Sequence, residues 1–246
     1  MRLHRVENEQ GVKLVARGRK AVEKARRREN KREQTKLALE FAVLFFGIMI
    51  LLQLPVAFLY DAGLIQSPLY WSSAMLSISF PVSVFVYLLA VKKLDAHKAI
   101  AELGLTRDRL SARILAMGLL LFAIIFLMEA AIALVEQITG IRISTHVSLL
   151  LQGAPLWFYV FAVFVAPLNE EIMFRGFFVP RLGIVLSALL FAIPHLTYAS
   201  TYEIEAIAAF VFGLLAGYVF KKTKSLYATI IAHALVNAIA VVGFLV

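Results

Sequence analysis

Long runs of apolar residues recur along most of the chain and leave few folds open to it. Seven of them approach the length of about 20 residues that a helix needs to cross a bilayer. The chain is 61% hydrophobic over 246 residues, well above the share of about 45–50% that is typical of soluble domains. The sequence therefore predicts an all-α, polytopic integral membrane protein with about seven transmembrane helices. The predicted spans are Leu37–Leu59, Trp71–Val91, Ile114–Val135, Trp157–Val179, Gly183–Ala199, Ile204–Phe220 and Leu226–Val246.

The order of these runs divides the chain into three parts. Residues 1–36 are predicted to form a basic cytoplasmic N-terminal arm, residues 37–149 the N-terminal transmembrane helices, and residues 150–246 a C-terminal core. No polar stretch after residue 36 is long enough for a second domain. The connection at residues 137–156 leaves room for an eighth, short interfacial helix. The absence of cysteine excludes disulfides, thiolate metal sites and a cysteine nucleophile.

The distribution of basic residues predicts the orientation. Residues 1–36 hold 13 of the 25 Lys and Arg residues, and 23 of the 25 fall on one side of the membrane if the N-terminus is cytoplasmic. This is the distribution that the positive-inside rule requires. We therefore expect a multi-pass protein of the plasma membrane, and the compact loops without cysteine suggest a prokaryote. The arm adjoins an apolar helix, which favours binding to anionic lipid over binding to nucleic acid.

The C-terminal half carries polar side chains inside its apolar runs, although each charge at the bilayer centre costs about 2.5–3.5 kcal/mol. Counted from the nearest predicted inner boundary at about 1.5 Å per residue, four of them lie at similar depths of about 14–21 Å on three helices: Glu170, His195, His233 and Asn237. We expect groups at one depth to form one site. The residues concerned are Glu170, Glu171, Arg175, His195, His233 and Asn237.

The spacing within each helix suggests partners for these groups. Glu171 and Arg175 are four residues apart and are predicted to form an ion pair on one helix face. Glu170 points about 100° away from Glu171, so this unpaired carboxylate is the candidate general base. His233 and Asn237 are also four residues apart, which suits a pair of hydrogen-bond donors for an oxyanion.

Two further features are interpreted as structural. Glu129 is a lone acid in the third predicted span, and we expect it to contact a neighbouring helix. The segment "GLLAG", from Gly213 to Gly217, places small residues four apart. This pattern predicts close packing of two helices within the bundle, with dimerisation as the alternative.

Three motifs stand in order in the C-terminal half: "EEIMFR", "FAIPH" and "HALVN", with the patterns E-E-x-x-x-R, F-x-x-x-H and H-x-x-x-N. The set resembles the family of CAAX proteases and bacteriocin-processing enzymes (the Abi family), which includes the type II CAAX prenyl endopeptidases. The resemblance covers roughly residues 150–246. It implies that this part is the catalytic core of an intramembrane endopeptidase, with a polar cavity open to the cytoplasm.

The resemblance also implies a role for each motif residue. Glu170 would activate a water molecule that His195 also holds, and His233 with Asn237 would form the oxyanion hole. The predicted ion pair would support the site, and Phe191 is interpreted only as a spacer. No cofactor is implied. The substrate would be a peptide or protein, lipidated or not, cut in C-terminal CAAX-type or leader-peptide processing.

Other functions stay open at this point. In one, Glu170, His195 and His233 bind Zn²⁺ with water as the fourth ligand, in an otherwise similar protease. The zincin spacing of two histidines and a glutamate on one helix is absent, so metal-free catalysis is preferred. In another, the chain is a non-catalytic bacteriocin-immunity or scaffold protein. A proton-coupled transporter is a third alternative, but its internal repeats are not found in the sequence.

Overall fold

The computed structural model describes residues 2–140, 151, 153–196 and 204–245. Within these ranges the chain forms helices, turns and loops and no strand. The helices are α1 (Arg2–Asp61), α2 (Pro68–Val91), α3 (Ala96–Glu102), α4 (Ala112–Thr139), α5 (Leu156–Leu182), α6 (Ile184–Leu196), α7 (Ile204–Thr223) and α8 (Tyr227–Leu245).

Five helices are long and apolar enough to cross a membrane. They are α1 over Thr35–Asp61, the whole of α2, α4 and α5, and α7 over Ala206–Thr223. Two further helices, α6 and α8, are apolar but shorter. The protein is therefore a multi-pass helical membrane protein, as predicted. Each of the seven predicted spans overlaps one of these helices, but a count of seven crossings is not confirmed.

Contacts between residues divide the chain into two units, Met1–Leu44 and Phe45–Val246. The first unit is helical over its described residues and carries an exposed ion pair, in which Nζ of Lys36 lies 3.7 Å from Oε1 of Glu40. The predicted division at residues 36 and 149 follows composition instead of contacts, and it stays a prediction.

The described residues include a short helix in addition to the seven that overlap predicted spans. It is α3, which lies between α2 and α4, where no helix was predicted. Asp95 caps it, because its Oδ1 accepts a hydrogen bond of 2.8 Å from the backbone N–H of Lys98. That bond, with the nearby Lys98 ammonium, lowers the pKa of the Asp95 carboxyl. The connection predicted to hold an interfacial helix, residues 137–156, lies largely outside the described residues. So do residues 197–199, the end of one predicted span.

One end of the second unit is closed by contacts between distant loops. The backbone N–H of Leu226, between α7 and α8, donates to the carbonyl of Gly104 at 3.1 Å. Arg181, at the end of α5, pairs with Glu102 of α3, and its guanidinium lies 4.0 Å from the ring centre of Phe177. These contacts hold the loops and helix ends at this end of the unit together. The polar cavity open to the cytoplasm stays a prediction.

Helices α2 and α5 pack along each other through pairs of aromatic rings. The ring centres of Trp71 and Trp157 are 4.6 Å apart, and those of Tyr87 and Phe177 are 5.4 Å apart. The earlier residue of α2 pairs with the earlier residue of α5, and the later with the later, so the two helices run in the same direction. Because lipid offers no hydrophobic drive between helices, such close packing contributes much of their association.

Helices α6 and α7 approach each other through glycine. A Cβ placed on Gly213 would lie 2.8 Å from the Cβ of Ala188, and one on Gly217 would lie 3.0 Å from Cγ2 of Ile184. Real Cβ atoms essentially never approach to 2.8 Å, and a contact of 3.0 Å is tighter than most, so the close approach of the helices depends on the missing side chain at Gly213 and is helped by that at Gly217. Close helix packing at this segment is confirmed.

We predict that Gly213→Ala destabilises the folded protein by about 1–3 kcal/mol, because the added methyl overpacks the contact with Ala188. Gly47→Ala is the matched control, since a Cβ on Gly47 meets nothing within 4 Å. The same change there stabilises the helix by about 0.5–1 kcal/mol. Thermal unfolding of both variants in detergent measures the difference, and equal transitions would contradict the packing.

Candidate active site

Helix α5 carries both carboxylates of the first motif, and its helical pitch changes along its length. Phe161–Val165 and Ile172–Phe178 are π-helical, and the α-helical stretch Ala166–Glu171 lies between them. Glu170 and Glu171 end this short stretch. A π segment adds a residue to the turn and turns the side chains that follow, and such segments occur frequently at functional sites.

Glu171 is fully buried and has two partners. Its Oε1 lies 2.9 Å from Nη1 of Arg175 and 3.0 Å from Nδ1 of His233. The ion pair predicted from the spacing is confirmed, and the contact with His233 adds a link from α5 to α8. A carboxylate held in an ion pair only accepts hydrogen bonds, so Nδ1 of His233 is the donor.

Glu170 faces the other nitrogen of the same imidazole. Its Oε2 lies 3.8 Å from Nε2 of His233, and its side chain is 22% exposed, whereas that of Glu171 is 0% exposed. Glu170 is therefore the more exposed of the two carboxylates. Because Nδ1 already donates to Glu171, Nε2 of His233 can donate to an oxyanion only when the ring is doubly protonated.

The guanidinium of Arg175 is buried against two neighbouring phenylalanine rings. Its Cζ lies 4.1 Å from the ring centre of Phe191 on α6 and 5.0 Å from that of Phe212 on α7. Nη1 and Nη2 make no hydrogen bond with the described residues. The charge is therefore compensated by the carboxylate of Glu171 and by the faces of the two rings.

His195 packs on Phe191, and so does His233. The ring centre of Phe191 is 5.1 Å from that of His195 and 5.7 Å from that of His233. Nδ1 of His195 lies 2.9 Å from the carbonyl oxygen of Phe191, so that nitrogen carries the proton and the lone pair is on Nε2. Phe191 is thus more than a spacer, because it contacts both imidazoles and the guanidinium. In the sequence, the signal for this role is its place in the F-x-x-x-H motif.

Asn237 joins α8 to the first π segment of α5. Its Nδ2 donates to the carbonyl of Ala162 at 2.8 Å, a bond across the helix interface. An amide nitrogen has two N–H groups, and this bond uses one of them. Asn237 and His233 therefore share one face of α8, as their spacing predicts, and the structure turns that face toward α5. The oxyanion role of Asn237 stays a prediction.

The zinc alternative requires Glu170, His195 and His233 to lie together around one point. In the described part of the chain, no three His, Cys, Asp or Glu side chains form a group that is able to hold a metal ion. These residues therefore do not fit the proposed ligand set. The chemistry of the site is accordingly derived from the side chains alone.

The fold and the site together define a class: a multi-pass helical membrane protein whose bundle encloses a charged cluster beside two histidines. Residues 152–239 match the family model described as "Type II CAAX prenyl endopeptidase Rce1-like". This segment of the chain is thus a domain of the CAAX protease and bacteriocin-processing family, as the three motifs indicate. It spans α5 to most of α8 and contains every candidate site residue. Neither the curated proteins nor the solved structures give a match to the chain.

We predict that Glu171→Gln destabilises the protein by about 3–5 kcal/mol, because it leaves the buried Arg175 without its counter-charge. Glu40→Gln is the matched control: Glu40 also pairs with a cation four residues away, but both side chains are exposed. Its loss costs at most about 1 kcal/mol. Unfolding in mixed micelles compares the two variants, and equal losses would show that the buried pair is not needed for stability.

Proposed function

We propose that the protein is an intramembrane endopeptidase that hydrolyses a peptide bond near the cytoplasmic face of the membrane. The family match supports protease activity in general. The observation that carries the specific proposal is the arrangement of the partly exposed Glu170 opposite Nε2 of His233, whose Nδ1 contacts Glu171. In this proposal Glu171 is held by its partners in the bundle, and Glu170 takes part in the reaction.

In the proposed reaction, Glu170 accepts a proton from water as the water oxygen attacks the scissile carbonyl carbon. The Nε2 lone pair of His195 accepts a hydrogen bond from the other O–H of that water, which stays on the attacking oxygen. The carbonyl oxygen becomes an oxyanion, to which doubly protonated His233 and the second N–H of Asn237 donate. The proton on Glu170 then passes to the leaving nitrogen as the C–N bond breaks. The products are a carboxylic acid and an amine, and no acyl-enzyme forms.

The proposed setting follows from the charges. We propose that the N-terminus lies in the cytoplasm, because 23 of the 25 Lys and Arg residues would then fall on that side. We also propose that the multi-pass chain lies in a plasma membrane, and the compact loops without cysteine favour a prokaryote. We propose a peptide or protein substrate that reaches the site from the membrane. Its processing is C-terminal, as in CAAX maturation, or removes a leader peptide.

We predict that Glu170→Gln lowers turnover by at least about 10²-fold, because the amide cannot accept the proton of water, while the protein stays folded. Glu129→Gln is the control, as it changes a partly buried carboxylate of α4 outside the family-matched segment. Cleavage is followed by comparing membrane peptidomes of cells that express each form. Release of C-terminal tripeptides indicates CAAX-type processing, and cuts further inside the chain indicate leader processing. Identical peptidomes for wild type and Glu170→Gln would favour a scaffold and overturn the proposal.

We predict that turnover by the purified protein persists in the presence of a chelator, because Glu170 activates water without a metal in the proposed reaction. Elemental analysis of the same sample provides the control. Stoichiometric zinc, together with activity that a chelator removes and added zinc restores, would replace this mechanism by the zinc alternative.

A further inference from the structure

Helix α2 lies outside the family-matched segment but presents a row of buried serines to the bundle. Ser79 donates to the carbonyl of Leu76 and Ser83 to the carbonyl of Ser79, each at 2.6 Å, so both bond back to their own helix. Ser77 differs from them. Its Oγ accepts a hydrogen bond of 3.2 Å from Nδ2 of Asn169 on α5.

Asn169 directly precedes Glu170 in the short α-helical stretch between the π segments. Its side chain and Ser77 are each only 6% exposed, so the bond is shielded from water. A polar group in this surrounding has few other partners, and losing the bond leaves the amide unsatisfied. The bond therefore ties the residue next to Glu170 to a fixed point on α2.

The neighbouring contacts between α2 and α5 do not fix the rotation of α5 about its axis. The rings of Phe80 and Phe174 pack edge to face, with centres 5.7 Å apart, and ring contacts of this kind tolerate small rotations. A hydrogen bond is directional and weakens steeply as its angle closes. On the other side, Asn237 ties α8 to Ala162. Helix α5 thus bonds to α2 through a side-chain amide in the stretch that carries Glu170, and to α8 through a side-chain amide that reaches the π segment before it.

We propose that Ser77 is a positioning residue for Glu170: through Asn169 it fixes the rotation of α5, so that the N-terminal helices supply part of the active site. This inference rests on the proposed function, in which Glu170 must meet water and the scissile carbonyl at a defined angle. The family-matched segment alone then lacks one of the supports of its own general base.

The test compares Ser77→Ala with Ser83→Ala in the full-length protein, using a peptide cleaved by the wild type. Both changes remove one buried hydroxyl from α2, but only the first breaks a bond to α5. We expect Ser77→Ala to lower kcat by about tenfold to a hundredfold with KM little changed, because small misplacements of a reacting group have effects of this size. Ser83→Ala is expected to retain the wild-type kcat, and Ser77→Thr, which keeps the hydroxyl, to restore it.

A double-mutant cycle and hydrogen exchange complete the test. If the two residues act as one unit, Ser77→Ala combined with Asn169→Ala lowers kcat no further than either single change. Amide exchange over Ala166–Glu171 is expected to rise in Ser77→Ala and not in Ser83→Ala. An active wild type with equal kcat in both serine variants would overturn this inference alone. A wild type without turnover would overturn the proposed function and the catalytic part of this inference together, whatever the exchange shows.

Discussion

A charge inside a helix bundle in lipid is tolerated only if groups of the protein replace the water that it has lost. In this chain the constraint is met around one carboxylate oxygen of Glu171, which contacts both a guanidinium and an imidazole. Each of the last four helices supplies one part: the ion pair comes from α5, one ring each from α6 and α7, and the imidazole from α8. The C-terminal half is therefore organised by compensation of charge as much as by packing of apolar surface. The groups that do this are Glu171, Arg175, Phe191, Phe212 and His233.

The two adjacent carboxylates of the motif consequently have different physical situations. Glu171 is enclosed, and its partners hold it in place, whereas Glu170 is one residue further round the helix and partly exposed. Two neighbouring residues of a helix face different directions, so a single pair of glutamates supplies both a fully buried carboxylate and a partly exposed one. The imidazole of His233 lies between them. Its Nδ1 contacts Glu171, and its Nε2 faces Glu170.

The sequence predicts the part of this arrangement that depends on local rules. Helix positions follow from apolar runs, because hydrocarbon admits only backbone that is internally bonded. The pair of Glu171 and Arg175 follows from spacing on one helix. The contact of His233 with Glu171 does not, since spacing within a helix carries no information about which faces of two helices meet. Asn169 and Ser77 are missed for the same reason.

The π segments of α5 and the short helix α3 are missed for a different reason. Where nearly every residue is apolar, the hydrophobic period is invisible, and a change from an α-helical to a π-helical turn leaves no trace in the pattern. Helix α3 has seven residues, which is too short for a period to be recognised. The depth argument, which uses only distance along a helix, selects groups on helices that share one bundle, and their assembly into one catalytic site stays a prediction.

The contacts between distant loops bear on the order of biosynthesis. Gly104 and Leu226, like Ser77 and Asn169, join parts of the chain that leave the ribosome far apart in time. Membrane helices insert individually before they associate, so α2 and α4 enter the bilayer while their partners are still untranslated. The contact of His233 with Glu171 likewise requires α8, the last helix of the described residues. The charged cluster is therefore completed only when translation is nearly finished.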